Sequence, residues 1–145
     1  MKKIILLAAL AFIITTTALP QQAVVTPMKA ELTSAVDSVR SNGTTPVYLY
    51  VSPKGQYTTG VFQATVTRVS TAIGGTITMQ GSLDGTNWYN ATNAAGDTLT
   101  IANSATQSQR LKVPASYGLP FYHYRLAIVG VSNDTMTVRA KFAAR

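Results

Sequence analysis

The chain has no cysteine, a single histidine and only five carboxylates among its 145 residues. Without thiols there is no disulfide, no thiolate nucleophile and no cysteine-based zinc or iron–sulfur site. A nucleophilic triad needs a base beside its nucleophile, and His123 is the one imidazole on offer. Alternation along its strand sends His123 outward with Arg125, onto a solvated face. Glu31, Asp37, Asp84, Asp97 and Asp134 stand in separate segments, mostly at turns, where aspartate ordinarily bonds its own backbone rather than forming a catalytic pair. Only a calcium site built from Asp84, Asp97 or Asp134 with loop carbonyls fits so scattered a set of oxygens. There is no glycine-rich phosphate loop and no metal-binding histidine spacing. A protein with no enzymatic activity, no cofactor and no metal centre is expected.

Positive charge is in excess. Twelve basic residues against five acidic ones give +7, a balance that suits anionic partners and also keeps a soluble protein from associating with itself. Two of those charges, Lys2 and Lys3, precede an apolar run over residues 4–14 and a small-residue stretch ending at Ala18, the order of a secretory signal peptide. Residues 1–18 are expected to be removed on export. The run is shorter than the roughly 20 residues that span a bilayer, so membrane attachment is expected only through an uncleaved signal segment.

Residues 19–45 read as a linker arm. Pro20 and Pro27 break its first part. Met28, Leu32, Val36 and Val39 then recur near helical spacing, which supports a short amphipathic helix, while the alternation of Leu32, Ser34, Val36 and Ser38 supports a strand. After Pro46 threonine, valine, tyrosine and glycine dominate, the residues of pleated half-buried surfaces. Alternating segments are expected at residues 47–51, 61–69, 74–82, 88–89, 97–101, 107–113, 122–128 and 136–142. Inward positions include Phe62, Ala64, Val66, Ile77, Met79, Leu83, Leu111, Val113, Tyr122, Tyr124, Leu126, Met136, Val138 and Phe142. Such strands between Gly, Asn and Asp turns predict an all-β, antiparallel sandwich of jelly-roll type over residues 46–145. Residues 47–51 are apolar on both faces, which predicts burial on both sides.

The third segment ends in Ser82-Leu83-Asp84-Gly85-Thr86-Asn87-Trp88. Asp84-Gly85 reads as a type I′ hairpin turn with positive φ at the glycine, and Trp88 as a ring closing one end of the core. This stretch resembles the Ser-x-Asp-Gly-x-x-Trp turn of discoidin-type, galactose-binding-like sandwiches. It also resembles small virion-associated proteins of phages infecting Bacteroidetes-type bacteria, in which a strand ending in Gln-Gly-Ser leads into Asp-Gly-x-Asn and an aromatic residue. In that group a Tyr-Tyr-Arg-like strand and a short final strand follow, matched here by Tyr122-His123-Tyr124-Arg125 and Thr135-Met136-Thr137-Val138. The resemblance covers residues 46–142 and implies a role in a virion.

Three sets of candidate residues follow. Trp88, Tyr89 and Asn87 form a candidate glycan site, since aromatic faces beside amides bind sugar rings as well as protein surfaces. Arg110, Lys112, Arg125, Arg139 and Lys141 point away from inward neighbours, and would form one basic face if their strands share a sheet. That face lacks the interleaved aromatics of single-strand binding platforms, and nothing indicates sequence-specific nucleic-acid recognition. Met28, Leu32, Val36 and Val39 form an apolar stripe expected to pack on a neighbouring subunit. Taken together these features suggest a secreted or surface-displayed structural component of a virion or extracellular assembly, a homo-oligomer or larger array. The alternative is a secreted carbohydrate-binding module.

Overall fold

The structure of the protein, a computed structural model, describes residues 24–31, 36–54, 57, 59–91, 97–113, 120–132 and 134–145. The signal segment, Leu32 and the first residues of the arm lie outside this set. Among the described residues ten strands follow in order: β1 (Val24–Pro27), β2 (Ser38–Asn42), β3 (Val47–Val51), β4 (Gly60–Arg68), β5 (Gly75–Ser82), β6 (Tyr89–Asn90), β7 (Thr98–Ile101), β8 (Thr106–Val113), β9 (His123–Gly130) and β10 (Thr135–Ala144). Each segment expected after residue 46 is present to within about two residues. Period-2 patterning marks such strands well when one face is buried.

All pairings among these strands are antiparallel, and they form two sheets. In sheet A, β10 is flanked along one edge by β4, and β8 follows beyond β4. Its other edge carries β1 opposite Lys141 to Ala144 and β2 opposite Thr135 to Arg139, two short strands sharing one lane. In sheet B the order is β3, β9, β5, and the far edge of β5 is again shared, by β7 and β6. Counting each shared lane once and numbering lanes in chain order makes β1/β2, β3, β4, β5, β6/β7, β8, β9 and β10 lanes one to eight, so lanes 1-8-3-6 form sheet A and lanes 2-7-4-5 form sheet B. That is the jelly-roll order.

The inward residues meet in one core. Phe62, Phe142 and Tyr124 form its aromatic centre, with ring centroids 4.7 to 6.0 Å apart, and Ile77, Met79, Leu111, Leu126, Ile128, Met136 and Val138 surround them. Burial pushes the Tyr124 hydroxyl up to about 12, because its anion would have to form among apolar rings.

The amino-terminal segment departs from expectation. No helix forms over Met28 to Val39 among the described residues; β1 and β2 extend sheet A, so the sandwich starts upstream of residue 46. Pro27 does not prevent this, since it closes an edge strand where a missing N–H costs no ladder bond. Between the two strands Met28 is fully buried in the protein's own core, and Lys29 forms a two-bond bridge to Tyr50 of β3. Val39 packs partly against the core while Val36 is 54% exposed. The three described members, Met28, Val36 and Val39, therefore do not make one stripe for a neighbouring subunit: Met28 is already buried in the protein's own core, Val39 packs partly against it and Val36 is exposed. Tyr122 and Leu83 also differ from expectation. Each lies just beyond a strand end and is exposed, Tyr122 by 72%.

Candidate binding surfaces

The loop between β5 and β6 is tied from within. The Ser82 hydroxyl donates to Asp84 Oδ1 at 2.9 Å and accepts from the Gly85 amide at 2.9 Å. Asp84 Oδ1 accepts the Thr86 and Asn87 amides, both at 2.8 Å, and Oδ2 accepts the Asn87 side-chain amide at 2.7 Å. These donors, the Asn87 amide first, hold the Asp84 carboxyl well below the usual carboxylate range. Gly85 sits at φ 76, the left-handed region where a Cβ is penalised. The connection is longer than a two-residue type I′ hairpin: Gly81 pairs with Tyr89, and the six residues 83–88 between β5 and β6 form the loop.

This length decides where the aromatics go. Tyr89, opposite the inward-facing Gly81, is turned toward the end of the sandwich, and Trp88 goes the other way, onto the outer face of sheet B. Trp88 is not a core closure. Its ring meets Tyr50 edge-on at 5.6 Å and covers the Arg125 guanidinium at 4.4 Å. The same guanidinium lies 4.1 Å from the centroid of Tyr48, so Arg125 is held between two rings. Register explains the arrangement, because Arg125 stands level with Tyr50 on one side and Gln80 on the other. Gln80 Oε1 accepts from Arg125 Nε at 2.7 Å. Opposite Tyr48 is Ala127, small enough to leave room for the arginine. All four large side chains are half-exposed. The apolar second face of β3 is thus covered by Trp88 and Arg125 from the protein itself.

No protein-family model and no curated protein matches this sequence.

The candidate glycan trio is divided. Trp88 belongs to the sheet B cluster, whereas Tyr89 and Asn87 line a concavity of about 210 Å³ with Leu83 and Phe121 at the end of the sandwich. Asn87 is committed to Asp84. Gly81 lies beneath this end because any Cβ there would overlap the Phe121 ring.

The expected single basic face is also divided. Arg110 and Lys112 on β8 and Arg139 and Lys141 on β10 share the outer face of sheet A, but β9 belongs to sheet B and carries Arg125 to the opposite side. Arg40 of β2 stands level with Thr137 and joins the sheet A group, an addition that a helical reading of its segment conceals.

His123 accepts or donates one hydrogen bond at 2.7 Å between Nδ1 and the Ser52 hydroxyl. No carboxylate orients its other nitrogen among the described residues, so the pair lacks the third member of a hydrolytic triad. The described residues bring no three metal-ligating side chains together, and none of their helices is long and apolar enough to cross a membrane.

Proposed function

We propose that this protein is a non-enzymatic structural or decorating component of a virion or other extracellular assembly, exported by its amino-terminal segment and working by subunit and surface contact. The observation that carries the reading is the Tyr48–Arg125–Trp88 stack. Tryptophan, tyrosine and arginine are the residue types that dominate protein–protein hot spots, where rigid rings give large contact area at small entropic cost. Here the three are ordered before any partner arrives: Arg125 is held by two rings and by Gln80, and the Asp84 loop fixes the approach of Trp88. A preorganised surface loses less freedom on association. Jelly rolls are also a frequent architecture of viral capsid and lectin domains, a likeness of fold alone.

Sedimentation velocity on the mature protein and its Trp88→Ala variant tests this. The native protein should associate at micromolar concentration, and the variant should remain folded by circular dichroism but shift to monomer. A native protein that stays monomeric at high concentration overturns the reading. The carbohydrate-binding alternative rests on the same rings beside the Gln80 amide and Thr78 hydroxyl, and would be favoured if the monomer bound neutral glycans through Trp88.

A further inference from the structure

The outer face of sheet A carries a different chemistry. Its outward positions follow from the register. Lys141, Gln63 and Arg110 lie level across β10, β4 and β8; Arg139, Thr65 and Ser108 form the next level, and Thr137, Thr67 and Thr106 the one after. Arg40 adjoins Thr137 from β2, and Lys112 continues β8 beyond Arg110. The result is two cationic columns, Arg139 and Lys141 on one strand and Arg110 and Lys112 on another. They flank a neutral lane in which Gln63, Thr65 and Thr67 expose an amide and two hydroxyls. Strands spaced about 4.8 Å apart put the columns roughly 10 Å from each other, with about 6.7 Å between successive cations in a column.

All five cations are exposed, and none makes an ion pair among the described residues. One carboxylate, Asp37, shares the concavity of about 440 Å³ that Gln63, Thr65, Arg139 and Lys141 line. Five unpaired cations against one carboxylate leave the face strongly positive. Clustered like charges repel in the free protein and become favourable when a polyanion releases its counterions onto them.

We infer that the outer face of sheet A is a binding site for an acidic polysaccharide, whose carboxylate or sulfate groups meet the two columns while its hydroxyls meet the Gln63–Thr65–Thr67 lane. The neutral lane is what selects this partner. No outward residue of β1, β2, β4, β8 or β10 is aromatic, so these strands present no ring on which unpaired bases could stack, as single-stranded nucleic acid requires. Two straight columns about one strand pair apart follow a single extended chain. The hydroxyl and amide floor provides donors and acceptors for a polyhydroxylated backbone. This surface lies on the opposite side of the sandwich from the Trp88 cluster, so it does not depend on the assembly reading.

The test is equilibrium binding of the full chain to heparin as a sulfated probe and alginate as a carboxylated one, with duplex DNA and oligo(dT) as comparison polyanions, over a series of salt concentrations. Binding to at least one polysaccharide should exceed binding to either nucleic acid, and should weaken linearly in log–log form with salt. Arg110→Glu and Lys141→Glu should each weaken it about three- to tenfold and lower the salt slope. Lys54→Glu, an equal change of charge off this face, should leave it within about twofold. The milder Arg110→Gln, checked by circular dichroism, keeps the test valid if a glutamate variant misfolds. An equal loss with Lys54→Glu would mean attraction by net charge alone and overturn the site. Tighter binding to duplex DNA, or no binding to either polysaccharide near physiological salt, would also overturn it.

Discussion

At the scale of single residues, the fold depends on a few side chains that replace backbone partners. Asp84 is the clearest, accepting three hydrogen bonds from the residues that follow it. Gln107 is another: its amide donates to the Ala102 carbonyl at 2.6 Å and accepts the Ala102 amide at 3.1 Å, as a neighbouring strand would. With Gln109, which donates to the Thr100 carbonyl at 3.0 Å, it ties β8 of one sheet to β7 and its following turn. Because Gly85 holds positive φ with Asp84 beside it, we expect Gly85→Val to destabilise the protein by about 1–3 kcal/mol. Chemical denaturation followed by fluorescence would read the loss. The emission of Trp88, three residues on, should also shift in the native baseline as its packing on Arg125 loosens. A turn at Asp84-Gly85 with positive φ at the glycine was legible in the sequence because Asp-Gly has few uses other than a turn, but the expected two-residue type I′ hairpin gave way to a longer loop. The destination of Trp88 was not: an aromatic ring suits a core and an outer face equally, and the loop length that decides between them depends on where pairing resumes.

At the scale of elements, the strands after residue 46 were legible because each has one buried face, and alternation encodes that face directly. β1 and β2 were less so. Four residues ending in proline and five residues rich in polar side chains carry little pattern, and both owe their form to the free edge of β10 rather than to their own propensity. Met28 at the junction shows the difference. Its spacing to Val36 and Val39 suggested a helical stripe, yet it enters the protein's own core with no exposed surface. We expect Met28→Ala to cost about 2–5 kcal/mol, the range for emptying a buried site of this size. A midpoint of urea unfolding within error of the native protein would show that the segment contributes nothing to the sandwich. The same pairing means that a chain starting at Ser41 would lack β1 and most of β2, leaving the β10 edge open and the Met28 site empty. Such a fragment is a poor candidate for a folded monomer.

For the whole molecule, sheet membership decides function more than strand identity does. Five basic residues on three strands looked alike in sequence, but the jelly-roll crossing puts β8 and β10 in one sheet and β9 in the other. Arg125 thereby leaves a solvated cationic face and becomes the centre of an aromatic cluster. Strand pairing across more than a hundred residues, as between β1 and β10, is set by the global packing and has no local signature. The product is a thin molecule with two unlike faces, one cationic and hydroxylated, the other aromatic around a single stacked arginine.

Trp88 is the only tryptophan and stands within the surface proposed to mediate assembly. Acrylamide quenching of its fluorescence, followed as protein concentration is raised through the association range found by sedimentation, reports on that surface alone. If the outer face of sheet B is the subunit contact, the quenching constant should fall as oligomer forms, and the fall should track the sedimentation curve. Association with an unchanged quenching constant would place the contact on another face and contradict the role assigned to the Tyr48–Arg125–Trp88 stack.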